Sequence, residues 1–209
     1  MITRYVFLMI WFGIAQCLQA QGVDTVTYYH DGHVREKGRL IQKVKEGTWL
    51  YYYPNGKLSA AESFVSGKLQ GEVLYYFANG CSQGKELWHK GFLTDSAFYY
   101  HSNGVLEKKG VYRSSQYDGE WLFYFDNGNL RRTVVYQQGL PNGVTKNFSE
   151  AGILLQEGFY ADGKESGKWS FFDEAGRLEY TGSYQDGKRI GTWYRFDKKG
   201  TKKLWKYRN

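Results

Sequence analysis

The 209 residues include only two cysteines, two prolines, two methionines and four histidines. Cys17 lies in an N-terminal segment that reads as a removable leader. Cys81 would then be the remaining thiol, which excludes an internal disulfide. His30, His33, His89 and His101 show no His-x-x-x-His spacing, and no cysteine pair accompanies them, so no metal site is expected. Asp118, Asp162 and Asp186 each precede a glycine, where the pair serves a turn rather than calcium or catalysis. Serines are scattered without a partner base at a recognisable spacing. No segment keeps a 3.6-residue apolar period, so no glycine loop opening a helix is available to cradle a phosphate. These absences argue against an enzyme and against any cofactor. The longest apolar run, Tyr5 to Ala15, is 11 residues, too short for a confident membrane span.

Glycine and aromatics are abundant: 26 Gly, 19 Tyr, 13 Phe and 7 Trp. They are arranged with a period of 24 residues over about eight copies, without insertion or deletion. Gly32, Gly56, Gly80, Gly104, Gly128, Gly152, Gly176 and Gly200 share one phase. Gly47, Gly71, Gly119, Gly143, Gly167 and Gly191 share a second, with Asp95 completing it. At a third phase Tyr28, Tyr52, Tyr76, Tyr100, Tyr124, Phe148, Phe172 and Phe196 are all aromatic. A fixed period of this length marks a stack of one supersecondary unit in which each copy contacts its neighbours. Strand formers between glycine turns make that unit a β-hairpin. The expected fold is all-β, an elongated antiparallel β-hairpin repeat array of about sixteen strands.

Within the unit, Asn55-Gly56 and its repeats Asn79-Gly80, Asn103-Gly104 and Asn127-Gly128 predict two-residue type I′ turns. Ala151-Gly152, Ala175-Gly176 and Lys199-Gly200 keep the glycine alone and predict looser turns, a type I turn followed by a glycine bulge. Pairing across Asn55-Gly56 sets Tyr53 opposite Leu58, Tyr51 opposite Ala60 and Trp49 opposite Glu62. One face then collects Trp49, Tyr51, Tyr53, Leu58 and Phe64 as the core side. The Glu62 phase holds Gly110, Gly158 and Gly182, so a ring lying over a strand glycine is expected, as Trp169 over Gly182. Trp121 opposite Val134 departs from that rule. The opposite face carries the complete aromatic row, bordered by Arg35, Lys37, Lys85, Lys109 and Arg131. A second glycine turn, as in Ser66-Gly67-Lys68 and Asp186-Gly187-Lys188, joins successive hairpins.

Charge is concentrated at one end. The formal net charge is +7, and Arg4 is the single charged residue of the leader. From Asp197 onward lie Lys198, Lys199, Lys202, Lys203, Lys206 and Arg208, which leaves the repeat body nearly neutral. Residues 1–20 read as a secretory signal peptide with cleavage after Ala20, lipidation at Cys17 being the alternative. Residues 21–209 then form the array, with 197–209 a basic terminal cap. The protein is expected to be exported, to the periplasm, the outer-membrane surface or the exterior.

The pattern G-x-W-x-x-Y-x-x-N-G-x-L, followed by Y-x-x-G-x-x-x-G, runs through Gly47–Leu58 and recurs in Gly119–Leu130 and Gly167–Leu178. It resembles the MORN-repeat variant family over essentially residues 23–209. The resemblance implies a β-hairpin array with a binding or scaffolding role and no chemistry. Classical relatives are linked to membranes and to scaffolding, and bacterial variants are often labelled antitoxin-like. The copy from Gly143 to Ser166 departs from the family pattern at Thr145, Asn147 and Ser149.

Three partner classes follow. The aromatic row Tyr52, Tyr76, Tyr100, Tyr124, Phe148 and Phe172 points to another protein, since rings dominate binding hot spots. The basic residues Lys198, Lys199, Lys202, Lys203, Lys206 and Arg208 point to an anionic lipid headgroup or glycan. The family resemblance adds a toxin neutralised by an antitoxin-like or immunity-like partner. Nucleic acid is not expected.

Overall fold

The structure, a computed structural model, describes residues 21–206. The predicted signal peptide and Arg208 lie outside the described residues. Among the described residues there are seventeen strands and no helix. The first eight are β1 (Val23–Tyr28), β2 (Val34–Ile41), β3 (Val44–Tyr52), β4 (Leu58–Val65), β5 (Lys68–Leu69), β6 (Gly71–Tyr76), β7 (Ser82–His89) and β8 (Phe92–Tyr100). Then come β9 (Leu106–Arg113), β10 (Gln116–Tyr124), β11 (Leu130–Gln137), β12 (Leu140–Phe148) and β13 (Leu154–Ala161). The last four are β14 (Lys164–Phe172), β15 (Leu178–Gln185), β16 (Lys188–Phe196) and β17 (Lys202–Trp205). Each strand pairs antiparallel with its successor, β5 and β6 together forming one interrupted partner for β4. The result is a single open meander, as the short glycine turns require.

The Asn-Gly turns are not the type I′ turns expected from the sequence. At Asn55-Gly56 only the glycine has positive φ, 77°. Gly56 N–H donates to Tyr53 O at 2.9 Å and Tyr53 N–H to Lys57 O at 2.8 Å. That is a type I turn followed by a glycine bulge. The cause is the asparagine side chain. Asn55 Oδ1 accepts from Lys57 N–H at 3.1 Å, and Asn55 Nδ2 donates to Ala78 O in the next repeat at 3.2 Å. Asn79, Asn103 and Asn127 repeat the inter-repeat bond to Ser102, Asp126 and Glu150.

Where the asparagine is missing the turn has the expected type I and glycine-bulge form, but it is not looser. Asp173 Oδ1 accepts from Ala175 and Arg177 N–H, and Asp197 Oδ1 from Lys199 and Thr201 N–H. Ser149 Oγ accepts from Ile153 N–H. The acceptor has moved two positions upstream. Type I′ geometry belongs instead to the second turn, where Ser66 and Gly67 have φ of 49° and 76° and Val65 pairs directly with Lys68.

A further bulge near the Asn-Gly turn shifts register between Tyr51 and Tyr52. The stem pairs as expected, Tyr51 with Ala60 and Trp49 with Glu62. Leu58, however, faces Tyr52 rather than Tyr53. The leucine column therefore joins the face of the aromatic row, and not the tryptophan face.

The core centres on one column of side chains, with Ala60, Phe64, Leu93 and Val134 buried beside it. Trp49, Val73, Ala97, Trp121, Thr145, Trp169 and Trp193 occupy one phase, and each is at most 3% exposed. A single-layer sheet achieves this because each ring sinks into its own backbone. Lys37 pairs with Leu50 and Arg39 with Glu46, so Gly38 alone faces Gly47, Thr48 and Trp49. Gly47 turns this wide bulge at φ 67°. The indole then lies on Gly38, and its Nε1 donates to Arg39 O at 3.1 Å, where the ladder is interrupted. Trp121 on Gly110, Trp169 on Gly158 and Trp193 on Gly182 repeat both features.

The glycine under each tryptophan is thus eleven residues upstream, on the preceding strand. Trp169 does not lie over Gly182, and Trp121 is no exception. Where the upstream residue is Glu62, Glu86 or Val134, the column holds Val73, Ala97 or Thr145 instead. The pair exchanges volume while the site stays filled.

Candidate functional site

Two surfaces carry the residues singled out from the sequence. The first is the face opposite the tryptophan column. Tyr52, Tyr76, Tyr100, Tyr124, Phe148 and Phe172 are all half-buried in one row across the sheet, and Tyr28 at the open edge is 59% exposed. The rings are therefore neither core nor free. The row is held by neighbours of its own face, such as the Lys37 ammonium 5.5 Å from the Tyr52 ring centre.

Beside it run Leu50, Leu74, Phe98 and Leu122, half-buried, and then Leu87, Val111 and Phe159, which are 37%, 40% and 42% exposed. A shallow groove of 340 Å³ lies behind the wide bulge, among Lys37, Gly38, Arg39, Thr48 and Leu50. Its equivalent three repeats on, of 220 Å³, is formed by Lys109, Gly110, Val111, Glu120 and Leu122. Among the described residues no second layer covers this face. It offers apolar area with lysines along it, and no group poised for bond chemistry.

The second surface is the basic end. Lys198, Lys199 and Lys206 are exposed. Lys202 is engaged: its ammonium sits 3.5 Å from the Tyr194 ring centre. Lys203 reaches Asp197 at 3.9 Å. Trp205 folds back onto Trp193 and Tyr180, at 5.8 and 4.7 Å between ring centres, and closes the end of the core column. The end is accordingly part cap and part charged surface. It is not near the middle of the aromatic row, so the two candidate sites are separate.

The histidines and the cysteine serve the turns and strand ends. His33 hydrogen-bonds to Asp31, whose carboxyl is held below its ordinary range by that contact. His101 Nε2 lies 3.1 Å from Tyr124 O, and Cys81 N–H donates to Asn79 Oδ1. Among the described residues no three His, Cys, Asp or Glu side chains converge on a metal-sized space.

The tryptophan face holds charged groups that the sequence reading passed over. Glu86, 8% exposed, accepts from Tyr99 Oη at 2.6 Å and Trp88 Nε1 at 2.9 Å. Burial, and then the hydrogen bond to Glu86, pushes the Tyr99 phenol far above its usual range. Burial does the same to Tyr51, Tyr75 and Tyr112. A column-by-column comparison of the copies would have found these groups, because the Glu62 phase is glycine at 38, 110, 158 and 182.

Comparison with known proteins agrees with this geometry at the level of the repeat. No curated protein matches the chain. Among solved structures, "Crystal Structure of TcdB2-TccC3" is 13% identical over 85% of this chain and 14% of its own, with a TM-score of 0.20. "Crystal Structure of TcdB2-TccC3-Cdc42" is 12% identical over 88% of this chain and 14% of its own, at 0.17. The chain spans about one-seventh of the length of either. The family model for the MORN repeat variant matches residues 45–65, 117–138 and 165–186. Those segments contain Trp49, Trp121 and Trp169, three of the indoles seated on an upstream glycine. The copies between them, with Val73, Ala97 and Thr145 in the column, go unmatched. The matched copies are MORN-variant repeats.

Proposed function

We propose that this protein is a non-enzymatic, exported scaffold of the cell envelope that holds another protein on its aromatic row. The observation that carries the reading is the uncovered face. An unbroken row of half-buried rings lies beside exposed Leu87, Val111 and Phe159, and among the described residues nothing packs against it. Contiguous apolar surface of this kind marks interaction sites. Rings already held by neighbours lose little conformational freedom on binding. MORN-variant repeats are binding modules, which accords with this assignment.

The test is crosslinking capture from native envelope extract, with a variant in which Tyr76, Tyr100 and Tyr124 are all changed to Ser. A dominant protein captured by the wild type and lost by the folded variant supports the row. Equal capture by both removes it.

A second reading rests on Lys198, Lys199 and Lys206, which are exposed and, among the described residues, make no carboxylate contact within ion-pair distance. They would hold an anionic lipid headgroup or glycan by charge. Binding to anionic liposomes should then fall as salt rises and vanish on deletion of residues 197–209. Undiminished binding by the truncated form ends this reading.

A further inference from the structure

Beside the tryptophan column a second row crosses the sheet, and its middle is basic. Tyr99, Lys108, Phe123, Arg132, Asn147 and Gln156 stand directly opposite one another on successive strands β8 to β13. Lys108 and Arg132 flank Phe123 two strands apart, about 10 Å at the usual strand spacing. Both are half-buried.

Lys108 Nζ sits 4.4 Å from the Tyr99 ring centre and donates to Tyr117 Oη at 3.2 Å. Arg132 is less well served: its Nε is buried and has no hydrogen-bond partner. Among the described residues neither cation lies within ion-pair distance of a carboxylate, and Glu86 is occupied by Tyr99 and Trp88. Gln156 accepts from Asn147 Nδ2 with its Oε1, so its own amide group remains a donor. The Arg132 charge also reaches the hydroxyls of Tyr136 and Tyr160, working against the rise that burial gives them. Donors thus gather on one side of Phe123 without an acceptor for the guanidinium.

We propose that Lys108 and Arg132 form an anion-binding site on the tryptophan face, which takes a carboxylate or phosphate group. A buried guanidinium N–H left unpaired is unfavourable, and an oxyanion that offers two adjacent oxygens, a carboxylate or a phosphate, satisfies it through paired hydrogen bonds. The apolar ring of Phe123 and the faces of Tyr99 and Tyr117 exclude water and strengthen the attraction. This site lies on the face opposite the Tyr52 row and stands independently of it.

Calorimetric titration of the full-length protein with inorganic phosphate and, separately, with tetraglutamate tests the site. Arg132→Gln, Lys108→Gln and the opposite-face control Lys109→Gln run in parallel. Wild type and Lys109→Gln should bind at least one probe. Arg132→Gln and Lys108→Gln should each weaken that binding about tenfold or more. Preference for phosphate or for tetraglutamate identifies the source of the group. Amide shifts in the wild type, which need no variant to fold, should centre on β9 to β12. No binding by the wild type, equal binding by all four proteins, or shifts confined to the basic C-terminus would overturn the site.

Discussion

The indole of Trp121 occupies the space that a β-carbon on Gly110 would fill, and its Nε1 donates to the neighbouring Val111 carbonyl at 3.0 Å. The two residues act as one unit. Gly110→Val should collide with the ring, and Trp121→Thr should empty a site that is 0% exposed, at a cost of about 3–5 kcal/mol. The double variant copies the natural Val134–Thr145 pair. Its loss of stability in urea should be smaller than the sum of the single losses by at least about 1 kcal/mol. Additive losses would mean that the eleven-residue pairing is not energetic.

Asp95 stands where the other bulges have glycine, at φ 57°. Left-handed backbone costs a residue with a side chain about 1 kcal/mol or more, although Asp tolerates it better than most. Its carboxylate recovers part of this by accepting from Ser96 N–H at 2.6 Å. Asp95→Gly should therefore be neutral to stabilising by up to about 1 kcal/mol, read as an unchanged or raised urea midpoint. A clear destabilisation would mean that the Ser96 contact outweighs the backbone strain.

Asn103 both caps its own turn, through Val105 N–H, and bridges to Asp126 O in the next repeat at 2.8 Å. Asn103→Ala should remove about 1 kcal/mol and speed amide exchange at Val105. Asn103→Asp keeps the acceptor and loses the donor. It should retain the protection of Val105 while the inter-repeat contact is lost, and equal loss of protection in both variants would make the bridge the essential half.

Alkali should unfold the array early. Burial holds Tyr51, Tyr75, Tyr99 and Tyr112 protonated beyond the ordinary tyrosine range, so their folded pKa values are raised. The folded state then binds more protons than the unfolded one above about pH 10. Their contribution to stability is complete below that pH and is lost as pH rises further. Phenolate absorbance should show one set of tyrosines titrating normally and another appearing together with loss of the near-ultraviolet dichroism. A single smooth titration with the fold intact would contradict this.

Acid acts on the other set of caps. The hydrogen bonds from Arg177 lower the Asp173 carboxyl, and those from Thr201 lower that of Asp197. Depressed folded pKa values contribute stability above about pH 4 that disappears as pH falls through them. The turns capped by Asp31, Asp173 and Asp197 should therefore open first in acid. Amide exchange at Arg177 and Thr201 should rise before that at Lys57, whose cap is the uncharged Asn55. Simultaneous opening would show that the carboxylates are dispensable.

The repeat period, strand order and stem register were all legible, because glycine phase and aromatic phase agree in every copy. What was hidden came from the wide bulge. Trp121 pairs in the ladder with Val134, thirteen residues ahead, yet packs on Gly110 behind it. Alternation along a strand does not reveal a three-against-one bulge. The signal was present as a covariation between the column of Trp49 and the column of Gly38. The turn assignment failed for a related reason. Asn-Gly satisfies either turn type on local grounds, and the choice is made by the Asn55 contact to Ala78 in the neighbouring copy. The binding surface was legible as a row of rings. Its relation to the leucine column was not, because the register shift at Tyr51 and Tyr52 reassigns Leu58.

The backward reach of the tryptophans gives the array a reading frame. Removing the 24 residues 50–73 joins Trp49 to Leu74. Trp49 stays on Gly38, Ala97 stays over Glu86, and every remaining ring keeps its seat. Removing residues 39–62, also 24, sets Val73 above Gly38 and opens a hole at the junction. Lengthening or shortening such a chain is thus tolerated by splice point as much as by unit length, with the safe cut falling just after a column residue.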